Sequence, residues 1–305
     1  MKIITSKISI LVVIFTLVFS FLHVVPTEAN NDSFHYVALG DSLTVGFEPQ
    51  HLWDSDAKVY GFVDRVFEEA LSFNAEATMS NYGVIGLTST GLKNLLVSMD
   101  EEKSVRRSDI QPWLLDPRLR QIIGDFPAMK EDIKKANLMT ITIGGNDFGA
   151  RTYLDIRDLD DKQLQQFLDE RIEVYRKNIE TSLNIIFQLN PDVKVVITDQ
   201  YNPFPHFNGE MYEKLNLLTT QFSKEVKEVV YSYQEDDFNI VLAPIADSFV
   251  HREALFTHIL RADIHPNQRG YERIANVITE TVWGGEEETS SYSFTRLLKN
   301  WVSNN

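Results

Sequence analysis

Five short runs rich in β-branched and aromatic residues recur along the chain: His35 to Leu39, Ala77 to Tyr82, Leu138 to Ile143, Val193 to Thr198 and Phe238 to Leu242. Segments with helical periodicity separate them. This alternation predicts a parallel sheet, because parallel neighbours need a crossover connection and a helix is its usual form. Several runs are apolar on consecutive residues, which suits strands covered on both sides. The pattern therefore predicts an α/β fold, a doubly wound parallel five-stranded sheet with helices on both faces.

The helical segments are Val59 to Phe73, Thr88 to Met99, Pro117 to Lys135, Lys162 to Leu189, Glu210 to Tyr233 and Asn267 to Val282. Asp116-Pro117 reads as an N-cap followed by proline at the first helical position, and Asn190-Pro191 stops the long helix before its strand. Two stretches exceed what a minimal unit needs, Asp100 to Asp116 and Phe148 to Asp161. Each either overhangs a site or runs as a solvated excursion.

At the start, Lys2 and Lys7 precede an apolar run from Ile8 to Val25 and then Thr27-Glu28-Ala29. This is the layout of a secretory signal peptide in residues 1–29, with an uncleaved anchor as the alternative. Both readings export the rest of the chain, to the extracellular space or the cell surface. Residues 30–283 are expected to form one domain. In 284–305, Gly284-Gly285-Glu286-Glu287-Glu288 reads as an acidic linker, and Phe294, Leu297, Leu298, Trp301 and Val302 fall on one helical face. That amphipathic helix either docks on the same molecule or makes a peripheral membrane or cell-wall contact.

The chain has no cysteine, which excludes disulfides, a thiol nucleophile and cysteine-based zinc sites. Its 29 basic and 44 acidic residues give a formal charge of -15, which disfavours nucleic acid as a partner. Serine, histidine and carboxylates remain for chemistry.

Four short segments carry that chemistry. Gly40-Asp41-Ser42-Leu43 follows the first strand, at the carboxyl edge where open parallel sheets place ligands. Ser42 can expose its hydroxyl there and offer its backbone N–H. Gly86, after the second strand, either is an ordinary strand-to-helix glycine or brings a backbone N–H close to a substrate. Gly144-Gly145-Asn146-Asp147 follows the third strand, and the Asn146 amide suits negative charge developing on a carbonyl oxygen, whereas Asp147 reads first as a turn residue. Asp263-Ile264-His265 precedes the last long helix, and a spacing of two lets the carboxylate reach the near ring nitrogen while the far one faces elsewhere.

Together the four segments, from Gly40 to Gly270, resemble the blocks of the SGNH hydrolases, also called GDSL esterases and lipases. The wider phrases are similar to secreted or surface esterases of Bacillus-type bacteria. The resemblance implies a flavodoxin-like sheet, Ser42 as nucleophile with His265 and Asp263 as its base and acid, and an oxyanion hole from the Ser42 backbone, Gly86 and Asn146. It implies ester hydrolysis, on a small-molecule, lipid or polysaccharide ester, with neither metal nor organic cofactor. One departure is Gly86-Leu87-Thr88, where many relatives have a polar residue after the glycine.

Two other readings compete. A metal-dependent phosphoesterase shares Asp-x-His and Gly-Asn-Asp fragments, but here Asp263-x-His265 comes last and no histidine accompanies Asn146-Asp147. A non-catalytic surface protein on the same fold would not need this combination of serine, amide, aspartate and histidine. Within the enzymatic reading, a carbohydrate O-deacetylase is the alternative to a lipase or esterase. Tyr201-Asn202-Pro203-Phe204-Pro205 either lines an acyl pocket or is a plain proline-rich loop, and His206, His251 and His258 read as surface or packing residues.

Overall fold

The computed structural model describes residues 33–52, 54, 58–148, 156–206 and 209–284. The signal-peptide reading of residues 1–29 and the final-helix reading of residues beyond 284 lie outside them. The strands are β1 (His35–Gly40), β2 (Thr78–Gly83), β3 (Leu138–Thr142), β4 (Lys194–Thr198) and β5 (Ile240–Ala243). All pair in parallel in the order β2-β1-β3-β4-β5, the flavodoxin-like arrangement.

The helices are α1 (Ser42–Val45), α2 (Phe62–Phe73), α3 (Ser89–Asp100), α4 (Arg107–Ile110), α5 (Pro117–Gly124), α6 (Phe126–Lys135), α7 (Asp161–Leu189), α8 (Glu210–Glu235), α9 (Ile245–Phe249), α10 (Glu253–Phe256) and α11 (Gln268–Trp283). Residues of the central strands divide by parity. Val37 and Leu39 pack in a cluster with Leu92, Leu95, Met129, Ile179 and Phe222, from α3, α6, α7 and α8. Tyr36 and Ala38 face the opposite layer, with Phe62 and Val66 of α2 and Tyr271, Ile274 and Ile278 of α11. Period-two side chains on strands covered from both sides produce this division, and it explains why β1 and β3 are buried throughout. The edge strand β2 is more polar and mostly not buried.

The expected helix from Pro117 to Lys135 is instead two helices. Asp125 lies between them, its carboxylate accepting from the Ala128 N–H at 3.3 Å, and Pro127 follows in the first turn of α6. Proline supplies no N–H for a helix continuing from α5, so the chain restarts around a fresh cap. Among the described residues the other expected elements are present, with ends shifted by up to three residues.

At the carboxyl end of β1 the backbone turns sharply into α1. Gly40 has φ +144°, and a Cβ there would lie 2.2 Å from the Thr142 carbonyl oxygen of β3. The Asp41 N–H donates to that same oxygen at 3.0 Å. Only glycine meets both demands. Gly40→Ala is expected to destabilise the protein by more than about 3 kcal/mol, combining backbone strain with a backbone clash. Urea unfolding of the variant beside the parent measures this.

Candidate active site

Beyond Gly40 the chain enters α1, with Asp41 as its N-cap accepting from the Leu43 N–H at 2.9 Å. The turn is pinned from both neighbouring strands. Thr44 donates its hydroxyl to the Leu39 carbonyl at 3.0 Å and is hydrogen-bonded to the Thr142 hydroxyl, while the Asn81 amide donates to the Thr44 carbonyl at 2.8 Å. Ser42 is thereby held at the junction of β1 and β3, where the strand order reverses.

His265 arrives from the opposite end of the sequence, on the loop before α11. Its Nε2 lies 3.0 Å from Ser42 Oγ, and its Nδ1 lies 2.9 Å from Asp263 Oδ1. An ionised carboxylate can only accept, so Nδ1 carries the proton and Nε2 is left to accept from the serine hydroxyl. Asp263 also accepts the His265 backbone N–H at 2.9 Å. Burial works against the Asp263 charge, but the hydrogen bonds and charge of His265 outweigh it and hold its pKa below the usual carboxylate value.

The loop is braced on several sides. His258 donates its N–H to the His265 carbonyl at 2.9 Å, and Tyr201 donates its hydroxyl to the Ile264 carbonyl at 2.8 Å while its ring stacks on Phe249. Phe47 meets the imidazole edge-to-face with centroids 4.6 Å apart, and its carbonyl accepts the buried Tyr271 hydroxyl at 2.6 Å. Asn267 caps α11 through the Arg269 and Gly270 N–H groups. A second histidine–carboxylate pair stands behind: His258 Nε2 lies 2.8 Å from the buried Glu48, which also accepts from Gln268.

Gly86 and Asn146 reach the same edge from β2 and β3. Gly86 has φ +82°, and its turn is held by the segment that follows α3. Gln111 donates to the Gly86 carbonyl at 2.9 Å and accepts both the N–H and the hydroxyl of Thr88, while the Asp116 carboxylate accepts the Ile85 N–H at 2.7 Å. Asn146 donates to the Leu87 carbonyl at 2.9 Å, which links the two turns and fixes its amide plane; Nδ2 carries a second hydrogen. Asp147 accepts the Ser89 N–H at 2.8 Å and the Ser89 hydroxyl, anchoring its turn to the amino end of α3. It acts as a structural turn residue.

Ser42, His265 and Asp263 are thus in direct contact, with Gly86 and Asn146 on adjoining strand ends. The bracing residues Gln111, Asp116, Tyr201, Glu48 and His258 were not singled out for these roles by sequence. Asp116 carried only the signal of a helix cap, which it also is, accepting from the Arg118 N–H at 2.9 Å. His258 is more than a surface or packing residue, because it carries both the Glu48 pair and the histidine loop.

Burial pushes Asp41 up to about 7, with the nearby Asp147 charge adding to the effect. Its folded pKa therefore exceeds its unfolded value of about 4, and between these the unfolded chain has released a proton that the folded chain retains. Stability from this group is complete below about pH 4 and is lost as pH rises to about 7. Asp41→Asn keeps the oxygen that caps Leu43 and does not titrate. The melting temperature of the variant relative to the parent is expected to rise from pH 4 to pH 7 and then level off. Thermal melts across that range check it.

A sequence model of the family described as GDSL-like Lipase/Acylhydrolase matches residues 36–278. The spore germination lipase LipC of Bacillus licheniformis is 25% identical over 257 residues, covering 82% of this chain and 96% of that protein. Among solved structures, the lipase Lip_vut3 from a goat rumen metagenome is similar with a TM-score of 0.57 and 24% identity, over 81% of this chain and 96% of that one. An extracellular lipase of Streptomyces rimosus is similar with a TM-score of 0.50 and 14% identity, over 81% of this chain and 99% of that one.

Proposed function

The chain belongs to the GDSL-like lipase/acylhydrolase family, and from that premise we propose that it is an exported serine ester hydrolase in which Ser42, His265 and Asp263 form the catalytic triad. One observation carries this reading: the unbroken hydrogen-bonded line from Ser42 Oγ through the imidazole to Asp263, at 3.0 and 2.9 Å. Export is supported by the basic, apolar and small-residue order of residues 1–29.

Ser42 Oγ attacks the ester carbonyl carbon as His265 Nε2 takes the hydroxyl proton. The carbonyl oxygen becomes an oxyanion, held by the backbone N–H groups of Ser42 and Gly86 and by the Asn146 amide. Asp263 keeps the proton on Nδ1 and stabilises the imidazolium. Collapse of the tetrahedral intermediate breaks the bond to the alcohol, which leaves with the proton from Nε2. Water then attacks the acyl-serine with His265 again as base, releasing the carboxylic acid and restoring the Ser42 hydroxyl. No step calls for a metal or an organic cofactor. A general base must be unprotonated to accept the serine proton, so kcat/KM is expected to fall on acidification.

Hydrolysis of p-nitrophenyl esters from acetate to palmitate tests the reading and places the acyl chain. Ser42→Ala is expected to lower kcat by about six orders of magnitude, Asp263→Asn by about four, and Asn146→Ala by two to three. Activity is expected to persist in the presence of a chelator. Unchanged turnover by Ser42→Ala would reject the triad. A profile confined to acetate would move the substrate from lipids to short-chain or carbohydrate esters.

A further inference from the structure

The large hydrophobic side chains that stay in solvent are not scattered evenly. Among the described residues the three most exposed are Trp113 at 95%, Leu115 at 79% and Leu260 at 75%. Trp113 and Leu115 flank Leu114, whose buried side chain is the nearest neighbour a Cβ on Gly86 would meet, at 3.3 Å. Leu260 stands on the loop that carries Asp263 and His265, together with the half-exposed Ile264. The apolar groups thus sit on two segments, one packed on the Gly86 turn and the other leading to His265, which touches Ser42. Trp113 is held at φ +66°, an uncommon conformation for a bulky residue. With Leu114 turned inward on the Gly86 turn, the indole is left outside.

Charge on these loops is close to balanced where the molecule is acidic: Arg106, Arg107 and Arg118 stand with Asp109 and Asp116 on one, and Arg261 with Asp263 on the other. The chain as a whole carries -15. The 12-residue helix α3, about 18 Å long, carries Asp100 away from the Ser42 edge, where Asp100 and Glu102 pair with Lys130. Beside Leu115 stand instead two guanidinium groups: Arg107, donating to the Leu115 carbonyl at 3.5 Å, and Arg118, 3.6 Å from the buried Asp116. Arg261 adjoins Leu260 and is exposed. Exposed Trp and Leu among arginines, on an otherwise acidic protein, match the chemistry of a lipid interface with anionic headgroups, where rings and alkyl groups enter the acyl boundary and guanidinium groups meet phosphate.

We propose that the loops bearing Trp113, Leu115 and Leu260 dock the protein on anionic lipid surfaces, presenting Ser42 to them. The docking deepens the hydrolase reading and takes its functional sense from it. The apolar groups supply adsorption, and the arginines select the headgroup charge. A water-soluble ester needs neither.

The test separates binding from turnover. Protein beginning at Asn30 and carrying Ser42→Ala is sedimented with phosphatidylcholine vesicles, with or without phosphatidylglycerol. Binding is expected to be at least tenfold tighter with phosphatidylglycerol, to weaken as salt is raised, and to fall at least tenfold with Trp113→Ser plus Leu260→Ser or with Arg261→Glu. With Ser42 restored, the Trp113→Ser, Leu260→Ser pair is expected to hydrolyse p-nitrophenyl acetate at the parent rate. Binding that is absent, indifferent to phosphatidylglycerol or unaltered by the substitutions overturns the proposal. So does a concentration-dependent dimer abolished by Trp113→Ser, which would assign the face to a second copy. Because binding is read on Ser42→Ala, a failed triad leaves this result interpretable.

Discussion

The contact between Gly40 and the Thr142 carbonyl governs the arrangement of the site. It brings the ends of β1 and β3 so close that there is no room for a side chain, and the Asp41 N–H closes the gap with a hydrogen bond. Asp41 then commits its carboxylate to the helix that begins with Ser42. Two adjacent residues are occupied in holding the turn, so the third can present its hydroxyl. The burial of Asp41 that this requires opposes its ionisation, a local cost tolerated where a turn must be held rigid.

Around that turn, segments that look superfluous to the sheet supply the bracing. The charged excursion after α3 delivers Gln111 and Asp116 to the Gly86 turn. The proline-rich loop after β4 delivers Tyr201 to the histidine loop, and Glu48, six residues after Ser42, reaches His258. Hydrogen bonds of this kind contribute modestly to global stability, but they remove the freedom of the loops to drift. An arrangement that loses effectiveness over about an ångström of displacement depends on such supports.

Much of the layout was legible in the sequence because it rests on local physics. Strands announced themselves by composition and helices by period, and Ser42, Gly86, Asn146, Asp263 and His265 each lay beside a strand end or a helix cap, but it was their joint resemblance to the SGNH hydrolase blocks that assigned them roles. The bracing was not legible. Gln111 and Glu48 belong to no motif, and their partners lie 25 and 210 residues away in the chain. Tyr201 was visible only as part of a loop with two open readings. The break between α5 and α6 was missed because apolar spacing runs through Gly124 and Asp125, while the decisive features are a cap and a missing donor.

The serine and the histidine that touch at the sheet edge are separated by 223 positions. Closing so long a loop is entropically unfavourable until the intervening strands and helices have condensed. A polypeptide emerging from its amino end can complete all five strands before residue 263 has emerged, and at that stage Ser42 has no imidazole beside it. The order of the chain therefore acts as a built-in delay: the contact between Ser42 and His265 forms only after the residues of all five strands have been laid down.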